Sequence, residues 1–181
     1  MISDIMKKCY DKGWITTRDG NLSFRMKNSN VMLITPSGVK KNEIEHKDLI
    51  SLTMNYDGTV NMTNNSKPSG ELLMHVYLQE LDRSKDCAVL HVHATNIVAA
   101  MYAGWNLQVI AEQFPEVNRY TRVAPNIPVL PAVSQELATA TFQALTRYQN
   151  YVMHPSLEFD IVGQARHGVC AIAESPELCY E

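Results

Sequence analysis

Ala88-Val-Leu-His-Val-His-Ala94 decides the fold, because an apolar run that reads as a central strand ends in two histidines two residues apart. On a strand, side chains at i and i+2 share a face with Cβ atoms about 6–7 Å apart. His91 and His93 can therefore converge on one metal ion at Zn–N distances of roughly 2.0–2.1 Å. Two such histidines alone also describe the polar end of an ordinary strand. Glu71, at the start of an expected helix, and His167, in Arg166-His-Gly-Val169 after a strand-like run, supply the partners. Three imidazoles and a carboxylate at element ends suit a catalytic zinc site with one coordination position left for substrate.

Working outward, the chain alternates element types over 181 residues with 45% hydrophobic content, enough for one domain with a real core. Residues 3–12 read as a helix. Asn21–Arg25 and Val31–Thr35 read as a hairpin around Lys27-Asn-Ser-Asn30, and residues 42–50 as a helical turn. Leu52–Tyr56 and Thr59–Met62 flank Asp57-Gly58, a second hairpin signal. Between Ser69 and Leu81 the apolar Leu73, Val76, Tyr77 and Leu81 fall at helical spacing, with Glu71, His75, Gln79 and Asp82 on the other face. That pattern predicts a helix that buries the apolar side and presents Glu71 from its first turn. Strands follow at residues 88–93, 107–110, 127–130, 159–164 and 169–172, and helices at 95–103 and, capped by Ser134, to about Tyr148. Ser175-Pro176 starts a last helix that has barely begun at Glu181, so a truncated C-terminal helix is expected. Repeated hairpins with flanking helices predict an α/β domain over residues 1–181, with a mainly antiparallel central sheet and helices on both faces.

The net charge of −3 and a pI near 6.1, with no basic cluster beyond pairs such as Lys7-Lys8 and Lys40-Lys41, argue against a nucleic-acid or membrane-surface role. No apolar run approaches the ~20 residues of a membrane span, and the N-terminus lacks the layout of a signal peptide, so a cytoplasmic location is expected. Cys9, Cys87, Cys170 and Cys179 form no C-x-x-C pair and read as reduced, mostly apolar fillers. His46 falls in a charged run and His154 in a loop before Pro155. His75, one turn after Glu71, suits a supporting hydrogen bond or plain packing rather than metal ligation.

Gly20-Asn-Leu-Ser23, Ile34-Thr-Pro-Ser-Gly38, Lys67-Pro-Ser-Gly-Glu71, His91-Val-His93 and Arg166-His-Gly168 occur in the order and spacing of the class II aldolase/adducin head family, which the chain resembles from about residue 10 to its end. The resemblance implies that His91, His93 and His167 are the zinc ligands and that Glu71 is the general acid/base, near or on the metal. It implies that Asn21, Ser37, Gly38 and Ser69 lie in the phosphate-binding loops, with Gly70 beside them. It also implies a homotetramer with sites at subunit boundaries and a small phosphorylated sugar as substrate. Small residues whose backbone N–H groups approach a ligand closely fit a phosphate cradle, although the same segments also read as a turn and an N-cap.

Two departures stand out: Gly70 replaces a serine of the aldolase pattern, and Arg18 replaces a threonine, offering a bidentate anion contact in its place. The implied reaction is reversible cleavage of a ketose 1-phosphate to dihydroxyacetone phosphate and an aldehyde, with Zn2+ or another divalent ion stabilising the enediolate. The rivals are epimerisation, dehydration of a methylthioribulose phosphate, and a non-catalytic adducin-like binding module. An aspartate in place of Glu71 marks the epimerase pattern, and a binding module is expected to lack the histidines. Glu116 and Tyr120 fall where relatives align poorly and remain unassigned.

Overall fold

The computed structural model describes residues 1–55, 57–62, 66–148 and 155–181. Its strands are β1 (Asn21–Arg25), β2 (Val31–Ile34), β3 (Ile50–Met54), β4 (Val60–Met62), β5 (Cys87–Val92), β6 (Val123–Ile127), β7 (Thr146–Arg147), β8 (Ser156–Leu157), β9 (Ile161–Gln164) and β10 (Gly168–Ala173). Its α-helices are α1 (Ile2–Asp11), α2 (Leu72–Gln79), α3 (Thr95–Tyr102), α4 (Leu107–Glu112), α5 (Pro115–Tyr120), α6 (Gln135–Leu145) and α7 (Pro176–Tyr180). Eight strands form one sheet in the order β4-β3-β2-β1-β5-β10-β9-β6, while β7 and β8 pair separately. Every pair in the large sheet is antiparallel except β6 with β9, which bears out the expected architecture.

All six residues of β5 are buried, because the strand has neighbours on both edges and helices on both faces. Cys87 and Val89 face α2 and α6, joining Met74, Leu78, Leu137, Ala138, Leu145, Val162, Cys170 and Ile172 in one core cluster. Leu90 and Val92 face the other way onto α1, which contributes Ile2, Ile5, Met6 and Cys9 at helical spacing, and onto Cys179 and Tyr180 of α7. A third cluster packs Met32, Ile34, Ile50, Leu52 and Met54 against Val76 of α2. The four cysteines are free, and three of them are buried.

Several expectations shift. The 69–81 helix begins at Leu72, so Glu71 occupies its N-cap position and Ser69 lies before it. Its faces are also reversed in part. His75 and Gln79 are fully buried while Leu73 is 38% exposed, because the polar stripe of α2 meets polar partners on β1. Residues 107–110 form a helix rather than a strand: the Asn106 side chain accepts from Gln108 N, and Asn126 Oδ1, on β6, accepts from Leu107 N at 3.0 Å. The strand expected at 127–130 lies instead at Val123–Ile127, an edge position that tolerates Pro125. The 42–50 helical turn resolves into two 3-10 turns, at Lys41–Glu43 and His46–Asp48. The helix after Ser134 ends at Leu145. Tyr56, at the end of the expected third strand, and His154 lie outside the described residues.

Arg25 is buried to 0% exposure at the end of β1, and its guanidinium donates to the carbonyls of Gln79 and Asp82 at 2.9–3.2 Å and to those of Met26 and Arg83 at 3.1–3.4 Å. A cation there satisfies the orphan carbonyls at the C-terminal end of α2 and complements its dipole. Arg25→Leu strands those acceptors and is expected to lower the unfolding free energy by about 2–4 kcal/mol in urea titration. A change below about 0.5 kcal/mol would mean that water serves these carbonyls equally well.

Candidate metal centre and its surroundings

Register brings the candidate residues together. Asn21 of β1 pairs with His91 of β5, and Cys170 of β10 pairs with His91 from the other side. The tight turn between β9 and β10, with Arg166 at φ +59°, sets His167 at the same end of the sheet. Glu71 enters from the start of α2 above. The nitrogen ligand atoms of His91, His93 and His167 all lie within 4.8 Å of one another, and their ring centroids are 4.7–4.8 Å apart. Glu71 Oε2 stands 3.2 Å from His91 Nε2, and Oε1 stands 3.5 Å from His167 Nε2. Gly168 makes this closeness possible: a Cβ there would come within 2.8 Å of the His93 ring and 3.1 Å of the His91 ring.

The donor set fits a cation. His91 Nδ1 donates to Val169 O at 3.0 Å, which leaves its Nε2 lone pair facing inward. His93 Nδ1 faces the Asp19 carboxylate at 3.6 Å, which favours the same tautomer. The two Nε2 atoms are then 2.8 Å apart with no proton assigned between them. Burial, reinforced by the neighbouring His93 and His167, pushes the His91 pKa well below its usual value, and burial also lowers that of His167 against the pull of Glu71. Three clustered imidazoles and a carboxylate whose Oε1 has no hydrogen bond among the described residues make a donor set that can hold a divalent ion. Asp19 was not picked out from sequence; its one signal is its place two residues before Asn21, whose strand pairs with that of His91.

The segments expected to take the phosphate lead directly into Glu71. A bridge between Pro36 and Pro68 joins the 35–38 turn to the 67–70 segment. Ser37 N and Ser69 N donate to Lys67 O and Thr35 O at 2.8 and 3.2 Å, so those two serines offer hydroxyls rather than backbone N–H groups. Among the described residues, Gly38 N and Gly70 N form no such backbone bond. Gly70 abuts Val133, whose Cγ1 would meet an added Cβ at 3.2 Å. Lys41 is buried under the turn and donates to Pro36 O at 2.6 Å. The Arg18 side chain is exposed, and Asn21 Nδ2 donates to Glu71 Oε2 at 3.0 Å. Glu116 and Tyr120 are exposed on α5.

An open cleft of about 570 Å³ lies beside His93 and His167, lined also by Thr95, Val98, Ala99 and Tyr102 of α3. A larger cavity of about 960 Å³ is lined by Trp14, Leu90, Val92, Leu178 and Tyr180 among others, but neither Glu71 nor any of the three histidines lines it. Cavity size therefore does not mark the chemistry here.

A sheet of this order carrying three histidines and a glutamate at one end is the architecture of a class II aldolase-type domain. The whole chain, residues 1–181, matches the family described as the class II aldolase and adducin N-terminal domain, and the protein belongs to that family. It is 28% identical over 175 residues to a 5-deoxy-D-ribulose 1-phosphate aldolase of Bacillus thuringiensis, covering 96% of this chain and 73% of that one. It is 30% identical over 105 residues to a methylthioribulose-1-phosphate dehydratase of a Sulfurihydrogenibium species, covering 56% of this chain. The match spans about half the length of that dehydratase, 47%. The fold superposes on a solved L-fuculose 1-phosphate aldolase with a TM-score of 0.73 at 23% identity, covering 99% of this chain and 76% of that one. No helix among the described residues is long and apolar enough to cross a membrane.

His93→Ala is expected to abolish stoichiometric divalent metal in the purified protein, measured by elemental analysis, whereas Asp19→Ala should weaken binding roughly 10–100-fold while retaining a site. Full metal retention in His93→Ala would refute the ligand set.

Proposed function

We propose that the protein reversibly cleaves a ketose 1-phosphate by metal-dependent aldol chemistry, giving dihydroxyacetone phosphate and an aldehyde. The observation that carries this reading is the Glu71 carboxylate, 3.2 Å from His91 Nε2 and 3.5 Å from His167 Nε2, at the end of the 67–70 segment that a bridge joins to the 35–38 turn. His91, His93 and His167 would hold a zinc or other divalent ion, which would supply Lewis-acid stabilisation of the charge that develops on the sugar oxygens. Ser37, Ser69, Gly38 and Gly70 receive the phosphate, with Arg18 at the rim, while the Asn21 amide is taken up by Glu71 and His75. Glu71 takes the proton of the C4 hydroxyl as the C3–C4 bond breaks, the electron pair staying on C3 and the aldehyde forming at C4. Glu71 then returns the proton to C3, which completes dihydroxyacetone phosphate.

The relative that matches across most of this chain is named an aldolase, which supports cleavage over dehydration. Dehydration of a methylthioribulose phosphate is the second reading, favoured by the relatives of that name. It needs the same carboxylate to remove a proton next to the carbonyl. A complete set of three imidazoles and a carboxylate supports catalysis over a binding module. The exposed apolar side chains of Tyr102, Trp105, Val109, Phe114 and Tyr120 support association into a homotetramer, and the reading places the protein in the cytoplasm.

With 5-deoxyribulose 1-phosphate, the expected result is release of dihydroxyacetone phosphate, followed by a coupled glycerol-phosphate dehydrogenase assay. Loss of water from methylthioribulose 1-phosphate without any carbon–carbon cleavage would move the second reading to the front. Glu71→Gln keeps shape and metal but is expected to lose 10²–10⁴-fold in turnover. Wild-type turnover in that variant would make Glu71 a structural group only.

A further inference from the structure

We propose that His75 is a positioning residue that, through Asn21, fixes the orientation of the Glu71 carboxylate; the functional part of this rests on Glu71 being the acid/base group. Helix α2 sets Glu71, His75 and Gln79 on one stripe at four-residue spacing, and β1 sets Asn21 and Ser23 on one face at two-residue spacing. The two stripes meet in a buried file of side chains, of which His75, Ser23 and Gln79 are wholly inaccessible.

The sense of the hydrogen bonds is set from the two ends of the file, Cys87 O and the Glu71 carboxylate. Cys87 O can only accept, so the atom 3.2 Å from it is the Gln79 amide nitrogen. The same nitrogen donates to Ser23 Oγ at 2.9 Å. Ser23 gives its single hydrogen to His75 Nδ1 at 2.7 Å. A neutral ring that accepts at Nδ1 carries its proton on Nε2, and that N–H donates to Asn21 Oδ1. The amide nitrogen of Asn21 is thereby turned onto Glu71 Oε2 at 3.0 Å.

Ser23 Oγ could accept from both Gln79 and His75, so the carboxylate end decides: Asn21 Nδ2 donates to it, Oδ1 is left to accept from the His75 Nε2–H, and Nδ1 is left to accept from Ser23. Reversing Asn21 would set its carbonyl oxygen against the carboxylate and its NH2 against the His75 N–H. Burial pushes the His75 pKa down to about 3, so the ring stays neutral and the tautomer is the variable that matters. Stability alone does not call for this arrangement, since apolar groups of matching shape would fill the same seam at little net cost. What the file adds is direction: it pins Oε2 and leaves Oε1, which has no hydrogen bond among the described residues, facing His167.

The test combines long-range proton–nitrogen NMR of the histidine rings with kinetics of the metal-loaded enzyme. His75, assigned by loss of its signals in His75→Gln, should show a protonated Nε2 and a bare Nδ1. Ser23→Ala removes the hydrogen given to Nδ1 at a residue three hydrogen bonds from Glu71. It is expected to lower kcat roughly tenfold or more while KM for the phosphorylated ketose stays within about twofold and metal content is unchanged. Ser23→Thr, which keeps the hydroxyl, should restore kcat. A fall in melting temperature with wild-type kcat in Ser23→Ala, beside an inactive Glu71→Gln, would overturn the positioning role alone. A His75 ring protonated on Nδ1 would overturn the file itself. Full turnover in Glu71→Gln would remove the functional claim together with the reading beneath it, whatever the tautomer.

Discussion

Asn21, His91 and Cys170 stand at one level of three neighbouring antiparallel strands, and nearly everything at the candidate centre depends on that register. A slip by one residue would turn His91 to the α1 face and bring Leu90 or Val92 to the centre. With β5 buried on both faces and both edges, such a slip is costly, because it would set the imidazole among Ile5, Met6 and Leu22. The same pairing lets Val169 O receive His91 Nδ1, so one register fixes the position of the ring and also its tautomer. Gly168 is the covalent condition for this arrangement, since only a residue without a side chain lets β10 pass so close to the His91 and His93 rings.

The second organising feature is a polar seam inside an otherwise apolar layer. Helix α2 packs Met74 and Leu78 into one cluster and Val76 into another, while His75 and Gln79 meet Asn21 and Ser23 between them. Arg25 ends the seam by serving the carbonyls at the C-terminal end of the helix. Unpaired, each of these polar groups would cost about 1–3 kcal/mol, so the seam tolerates little loss of partners. It also ties α2 to β1 in a single axial position. Glu71 at the N-cap therefore arrives over His91 without depending on the mobility of a loop side chain.

The two sides of the centre differ in character. Toward the 35–38 and 67–70 segments the chain offers hydroxyls, glycine N–H groups and a buried lysine that braces the turn. Toward α3 the cleft is lined by Val98, Ala99 and Tyr102.

The sequence by itself determined most strands, the hairpins at 27–30 and 57–58, the caps at Ser134 and Ser175, and the grouping of His91, His93, His167 and Glu71. Period-two apolar runs, turn residues and short-range motifs are local properties, and they survive without knowledge of neighbours. Residues 107–110 read as a strand because Leu107, Val109 and Ile110 are strand-like in composition, yet Asn126, on β6, satisfies Leu107 N and lets a helix start there. The inner face of α2 departs from its apolar pattern for the same kind of reason: nothing within residues 69–81 reveals that polar partners wait on β1, more than fifty residues away. Asp19 behind His93, the buried Arg25 and the fixed sense of the Gln79-to-Glu71 file were decided only by tertiary structure, because each depends on a donor or acceptor from a distant segment that becomes its neighbour only when the sheet closes.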